Sequence, residues 1–225
     1  MKFINVEYGI DIELEENKTY EIVIENQLTL TGIVEEIKSL TEEEKETNFF
    51  ICKNDKDLKF SKNVDIVLDY FSLMLNTKKV INKLYSNLEL VADDYYEQKN
   101  DINSKMITVL DDIILAAGHE EVVFDLDFKW QDMFKIYGLK LDESYDNLVE
   151  KLSMYIKVLS EYTDVKVIFF VNIKSFLATE DLDKLYDMAN YQKIIIILLE
   201  SRESIERGRE IRYIIDKDNC FIDGN

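Results

Sequence analysis

Two apolar runs separated by one amphipathic segment constrain this chain more than any other feature. Residues 165–201 contain VKVIFFVN, then a polar stretch with Leu182, Leu185 and Met188 along one helical side, then KIIIILLES. Runs of Val, Ile and Phe without polar alternation are buried on both faces, which places them inside a parallel sheet. With a helix between them they form a β-α-β unit. Thr179 is the expected N-cap, and Glu180 and Asp181 follow in the first turn, where the positive end of the helix dipole favours carboxylates. Units of this kind usually carry a nucleotide site. Here the chain has only six glycines, and neither GxxxxGK[ST] nor GxGxxG occurs in it. The expectation is an α/β core without the loop of an NTPase or a dehydrogenase.

The rest of the chain sorts by hydrophobic period. Residues 2–13 predict a strand or a hairpin around Gly9, TYEIVIEN a buried strand, QLTLTGIVEEIKSL a helix and NFFICKN another strand. Between Lys59 and Leu75 strand and helix patterns compete. Helical stripes follow at Val80, Leu84, Leu88 and Val91, then at Ile102, Met106, Leu110, Ile113 and Ala117, with Gly118 as the expected C′ residue. VVFDLDF alternates as a short strand, WQDMFKIY is a short helix stopped by Gly138, and Leu148, Leu152, Ile156 and Leu159 mark a third long helix. REIRYIID and CFID close the chain as strands. The expected organisation is an α/β head built from residues 1–75 and 161–225, with a helical insertion at 76–160. No Gly/Pro-rich hinge marks either junction, which predicts a packed one.

No apolar run reaches the ~20 residues of a membrane span. The first residues alternate and turn acidic, unlike a signal peptide. Cys52 and Cys220, the only cysteines, are expected to be buried free thiols in a reducing cytoplasm.

Charge is distributed unevenly. The net charge is −19, which at first sight excludes a polyanionic partner. Residues 1–50 carry 4 basic and 13 acidic side chains, residues 84–165 carry 7 and 18, and residues 166–225 carry 9 and 11. Residues 51–83 reverse the balance with 7 basic and 4 acidic. The basic set is Lys53, Lys56, Lys59, Lys62, Lys78, Lys79 and Lys83, and all four arginines lie elsewhere, between 202 and 212. Lysine meets phosphate as a point charge and lacks the planar fork that reads base edges. The pattern fits DNA held by its backbone, independent of base sequence, and it also fits ordinary solubilising lysines.

Candidate chemistry is sparse. His119 is the only histidine, and no Ser, Cys or Thr stands in a nucleophile motif. Glu120, Glu121, Asp125 and Asp127 form the strongest metal candidate. Two aspartates two apart on a strand share a face, and hard carboxylate oxygens suit calcium, magnesium or manganese. A solvated acidic edge satisfies the same pattern. A two-metal nuclease would want a further Lys, His or carboxylate acting on water.

The order of sequence blocks resembles one family. TYEIVIEN, then NDKDLKFSKNVDIVLDYFSLMLNTKKVINKLYSNLE, then VIFFVNIKSFLATEDLDKLYDMA, then IIIILLESRE and IIDKDNCFI are similar to the ring-forming spacer-acquisition protein of type II-A CRISPR systems, the Csn-two family. The resemblance implies a P-loop-like parallel-sheet head that lacks a nucleotide-binding loop, with an inserted helical leg. It implies a homotetrameric ring that takes double-stranded DNA, preferably by free ends, with calcium at carboxylates stabilising the ring. It implies a non-enzymatic role in spacer acquisition beside the spacer integrase complex and the effector nuclease. Two other readings stay open: a divalent-metal nuclease using Asp125 and Asp127, and a protein-only regulatory subunit with a degenerate NTPase fold.

Overall fold

The computed structural model describes residues 1–54, 56–119, 121–204 and 208–224. In chain order the elements are β1 Lys2–Asn5, β2 Ile10–Glu13, β3 Thr19–Ile24, α1 Gln27–Glu42, β4 Phe49–Lys53, β5 Lys56–Asp57, α2 Phe60–Asn63 and β6 Val64–Val67. Then come α3 Lys78–Ala92, α4 Tyr96–Ala117, α5 Trp130–Ile136, α6 Leu148–Tyr162, β7 Val167–Val171, α7 Thr179–Tyr191, β8 Ile195–Glu200, β9 Ile211–Ile215 and β10 Phe221–Asp223. They divide into two compact units: residues 1–75 with 143–225, and residues 76–142.

The first unit is α/β. Its six-stranded sheet has the order β10-β9-β3-β8-β7-β6. The strands from β9 to β6 run parallel, and β10 is antiparallel at one edge. The runs that dominated the sequence lie inside it, with β8 between β3 and β7, and all six residues of β8 are buried. Alternate residues feed two cores. Val167, Phe169, Ile195, Ile197 and Leu199 join Tyr20, Ile22 and Ile24 under α1 (Ile33, Ile37, Leu40). Ile168, Phe170, Ile196 and Leu198 pack under α6 (Leu152, Ile156, Leu159) and α7 (Leu182, Leu185, Ala189). Each fully buried side chain of this size stabilises by ~1.5–3 kcal/mol, so covering both faces is what holds the sheet.

A second, antiparallel sheet, β2-β1-β4-β5, adds Phe3, Ile10, Ile12, Phe49 and Ile51 to the α1-side core. Residues 2–13 are the hairpin alternative, turning where Gly9 has φ +66°. The ambiguous stretch after Lys59 resolves into one helical turn, α2, and the edge strand β6. Asn26 caps α1 by accepting from the N–H groups of Leu28 and Thr29. Thr179 is not the N-cap of α7: Ala178 holds that position and Thr179 is the first helical residue.

Charge is buried among the strands. Glu21 and Arg212 are Cα partners across β3 and β9, and Arg212 Nε donates to Glu21 Oε2 at 2.6 Å. Lys174 Nζ, from the turn after β7, faces Glu21 Oε1 at 2.8 Å. It is off hydrogen-bond alignment, so charge and not a directed bond holds that oxygen.

The second unit is helical. Tyr85, Ala92 and Phe134 are its buried centre, joined by Ile81, Leu84, Leu88, Trp130 and Leu139. Tyr85 Oη donates to Leu139 O at 3.0 Å, and the Phe134 ring lies between Tyr85 and Trp130. Where the chain enters and leaves, Asn76 Nδ2 donates to Leu141 O at 3.0 Å and Asn76 Oδ1 accepts from Leu141 N–H at 2.8 Å. That clasp closes the unit at residue 142, so the insertion is shorter than the expected 76–160. The helix at 148–162 belongs to the α/β unit because its apolar stripe is buried against the sheet.

Candidate nucleic-acid interface

The seven lysines of the basic window divide between the two units. Lys53, Lys56, Lys59 and Lys62 belong to the first, and Lys78, Lys79 and Lys83 to the second. All seven are exposed. Lys53 and Lys56 are Cα partners on either side of the β4–β5 turn, where Asn54 has φ +52°. Lys59 is held by Glu44 at 2.8 Å and Lys62 by Asp164 at 3.2 Å. The other five have no ion-pair partner among the described residues. The structure thus separates two locally neutralised lysines from five available ones, a distinction that spacing alone does not contain.

Lys78 and Lys79 open α3 directly after its N-cap, Thr77, whose hydroxyl accepts from Val80 N–H, and no acidic residue stands in that first turn. Cations at a helix start oppose the helix dipole. With free backbone N–H groups at the same end, the turn is electropositive and suited to phosphate. Lys83 lies four residues beyond Lys79, on the same side of the helix and ~6 Å further along its axis.

The acidic set is arranged differently from its sequence pattern. Glu120 lies outside the described residues. Residues 122–128, expected as a strand, are irregular. The described part of this unit has no strand with which they could pair, and a lone strand leaves its backbone unsatisfied. Instead Asn103 of α4 donates to Leu126 O at 2.5 Å, fastening the segment along the helix. Asp127 pairs with Lys99 at 2.9 Å, and Lys99 also lies 5.2 Å from the centre of the Phe128 ring. Asp125 stands at a hollow floored by Ile102, Met106, Phe128 and Met133. Glu121 is 3.6 Å from His119 Nδ1, both exposed. Among the described residues no three His, Cys, Asp or Glu side chains come together as a metal site.

Two other features depart from the sequence reading. The stripe along α4 is not buried: no residue of that helix is, and Met106 and Ile113 are more than half exposed. The cysteines are not joined in a disulfide, but Cys220 is exposed and Cys52 is half-buried with its thiol donating to Asp57 at 3.0 Å. Among the described residues no helix is long and apolar enough to cross a membrane.

A parallel-sheet α/β unit without a nucleotide loop, interrupted by a helical unit and carrying exposed lysines on both, defines the class. The family of the CRISPR-associated protein (Cas_Csn2) matches over residues 41–219, and the chain belongs to that family. The CRISPR-associated protein Csn2 of Streptococcus agalactiae is 23% identical over 161 residues, covering 71% of this chain and 72% of the relative. The protein of the same description from Enterococcus faecalis is 22% identical over 157 residues, 68% of each chain. Among solved structures, an ABC transporter (ATP-binding protein) from Pyrococcus furiosus aligns over 92% of this chain and 88% of its own, with 11% identity and a TM-score of 0.41. A likeness of that size adds nothing to the fold that the strand order already defines. The protein is therefore CRISPR-associated, with an α/β fold.

Proposed function

We propose that the protein binds double-stranded DNA through its phosphates, without reading sequence, as a homotetrameric ring that acts in spacer acquisition. The observation that carries this reading is the pair Lys78 and Lys79, exposed and unneutralised at the electropositive start of α3. Lysines there cost helix stability, and an anionic ligand offsets that cost. The acidic remainder of the surface repels DNA, so contact is confined to the lysines, whose field is screened beyond ~8–10 Å. Family membership supports the place in CRISPR adaptation, beside the spacer integrase complex and the effector nuclease. Assembly is supported by α4, where no described residue is buried and Met106, Val109 and Ile113 are more than half exposed, a face that suits a second copy.

The role is non-enzymatic and cytoplasmic in this reading, and DNA incubated with magnesium or manganese is expected to stay intact. In this reading calcium is held at carboxylates and stabilises the ring. Replacing Asp125 and Asp127 by Ala is expected to abolish a calcium-induced rise in melting temperature of a few degrees, about the size that tight ion binding produces. A response left intact moves calcium to other carboxylates.

The deciding experiment is a mobility shift with linear and closed circular duplexes of equal length, with calcium and with chelator. A calcium-supported shift of the linear form alone is the result expected of a ring threaded over ends. Equal shifts would mean an open surface. No shift in any condition would leave a protein-only subunit, and cleavage would leave a nuclease.

A further inference from the structure

The helical unit has a hollow that its own side chains leave open. It lies between α4, residues 125–128 and α5, with a volume of about 230 Å³. Its floor is apolar, made by Ile102 and Met106 of α4, Phe128, and Met133 of α5. Ile136 and Tyr137 also line it, and both are more than half exposed, as is Met106. Large apolar side chains left in water around a concave surface mark a binding face. Methionine has a flexible, polarisable side chain, so this floor can adapt to the shape of an occupant.

The wall of the hollow is fixed in place. Asn103 donates to Leu126 O at 2.5 Å, Lys99 pairs with Asp127 at 2.9 Å, and the Phe128 ring meets Trp130 edge-on with centres 5.6 Å apart. Trp130 in turn stacks on the buried ring of Phe134. The hollow is therefore built into the unit, and an occupant does not have to order it on binding.

Size and charge select the occupant. Sites that enclose a small molecule measure ~300–1,000 Å³, so this one takes part of a larger partner, one or two bulky side chains. Ile102, Met106 and Leu110 line it over two turns of α4, roughly 12 Å, which leaves room for two anchors one helical turn apart. Three carboxylates line it, Asp125, Asp127 and Asp132, and among the described residues no lysine or arginine does. Asp127 is paired with Lys99, and Asp132 with Lys135 at 3.0 Å. Asp125 is exposed and has no ion-pair partner among the described residues, so its charge is the one an incoming cation can meet. The surroundings have the same sign: residues 84–142 carry 13 acidic and 5 basic side chains. That charge repels DNA and the anionic face of a membrane, and attracts a basic protein segment. Val109 and Ile113 do not line the hollow, so they remain available to a second copy.

We propose that the hollow is a docking site for a basic amphipathic helix of another protein: bulky apolar side chains on one face of that helix seat against Met106 and Met133, and an adjacent lysine or arginine pairs with Asp125. This site is independent of the DNA reading, and its test contains no DNA.

The test uses the whole chain carrying ¹³C-methyl methionine, with chelator present so that no metal competes for Asp125. The probe is a synthetic amphipathic helix of leucine and lysine, and its counterpart has glutamate at every lysine. The methyl signals of Met106 and Met133, assigned through Met106→Leu and Met133→Leu, are expected to shift with the lysine peptide and to stay in place with the glutamate peptide. Asp125→Lys is expected to weaken binding of the lysine peptide about tenfold or more, because it removes an attraction and adds a repulsion. Asp111→Lys changes the net charge equally at an exposed position of α4 outside the hollow, and is expected to cost about twofold or less. Signals that do not move with the lysine peptide, equal binding of the two peptides, or equal losses from the two substitutions would overturn the docking site. Signals that move with protein concentration and not with the peptide would put a second copy in the hollow, and would overturn it as well.

Discussion

Changing Lys78 and Lys79 together to glutamate is expected to weaken duplex DNA binding about a hundredfold or more at ~0.1 M salt, with the melting temperature unchanged or slightly higher. Each phosphate contact contributes a salt exponent of ~0.9, so losing one costs roughly eightfold at that salt concentration and losing two roughly sixtyfold. Reversal of charge adds repulsion to that loss. Both side chains are exposed and neither packs in a core, so folding is not the route of the effect. The substitution places carboxylates at the positive end of α3, where each is stabilising by ~0.3–1 kcal/mol. Loss of binding from a chain that melts no earlier therefore separates a contact defect from misfolding. Titrations at several salt concentrations should also show a shallower dependence of log affinity on log salt. Unchanged affinity would remove these lysines from the interface.

The second large effect is on stability. Arg212→Met is expected to cost ~3–5 kcal/mol in urea denaturation, because it leaves Glu21 buried with part of its charge uncompensated. Glu21 is fully buried and Arg212 nearly so, and the 2.6 Å bond between them is the shortest ion pair in the cluster. Removing both charges, with Glu21→Leu added, is expected to recover most of the loss, since Lys174 retains Glu210. The pair would then show a strong coupling energy in a double-mutant cycle. If the single change cost less than ~1 kcal/mol, water would be reaching the cluster and the bond would be a surface-type ion pair.

How far the sequence could be read depended on which signals are local. The β7–α7–β8 unit was legible because apolar runs of that length are soluble only when both faces are covered. The helices at 78–92, 96–117 and 148–162 were legible from their period, but the destination of each stripe was not. Ile156 is buried against the sheet, whereas Met106 of α4 is half-exposed at a surface hollow, and the two patterns look alike on paper. The alternation in VVFDLDF misled because a strand needs a partner edge, which only the surrounding unit could supply. The buried charges left a signal that went unused: Glu21 inside TYEIVIEN and Glu200 at the end of IIIILLE are carboxylates in otherwise apolar strands. Such residues must be paired or protonated once the strand is central.

By itself the sequence determined the parallel-sheet core, the lack of a nucleotide loop, the segment that holds the lysines and, through the order of its blocks, the family. These follow from period, residue type and order along the chain. Only the tertiary structure decided that the insertion closes at Asp142, that Lys59 and Lys62 are neutralised while Lys78 and Lys79 are not, and that Glu200 shares a buried site with Glu21 and Lys174. Each of those depends on residues far apart in sequence reaching within a few ångströms, and no pattern along the chain records such distances.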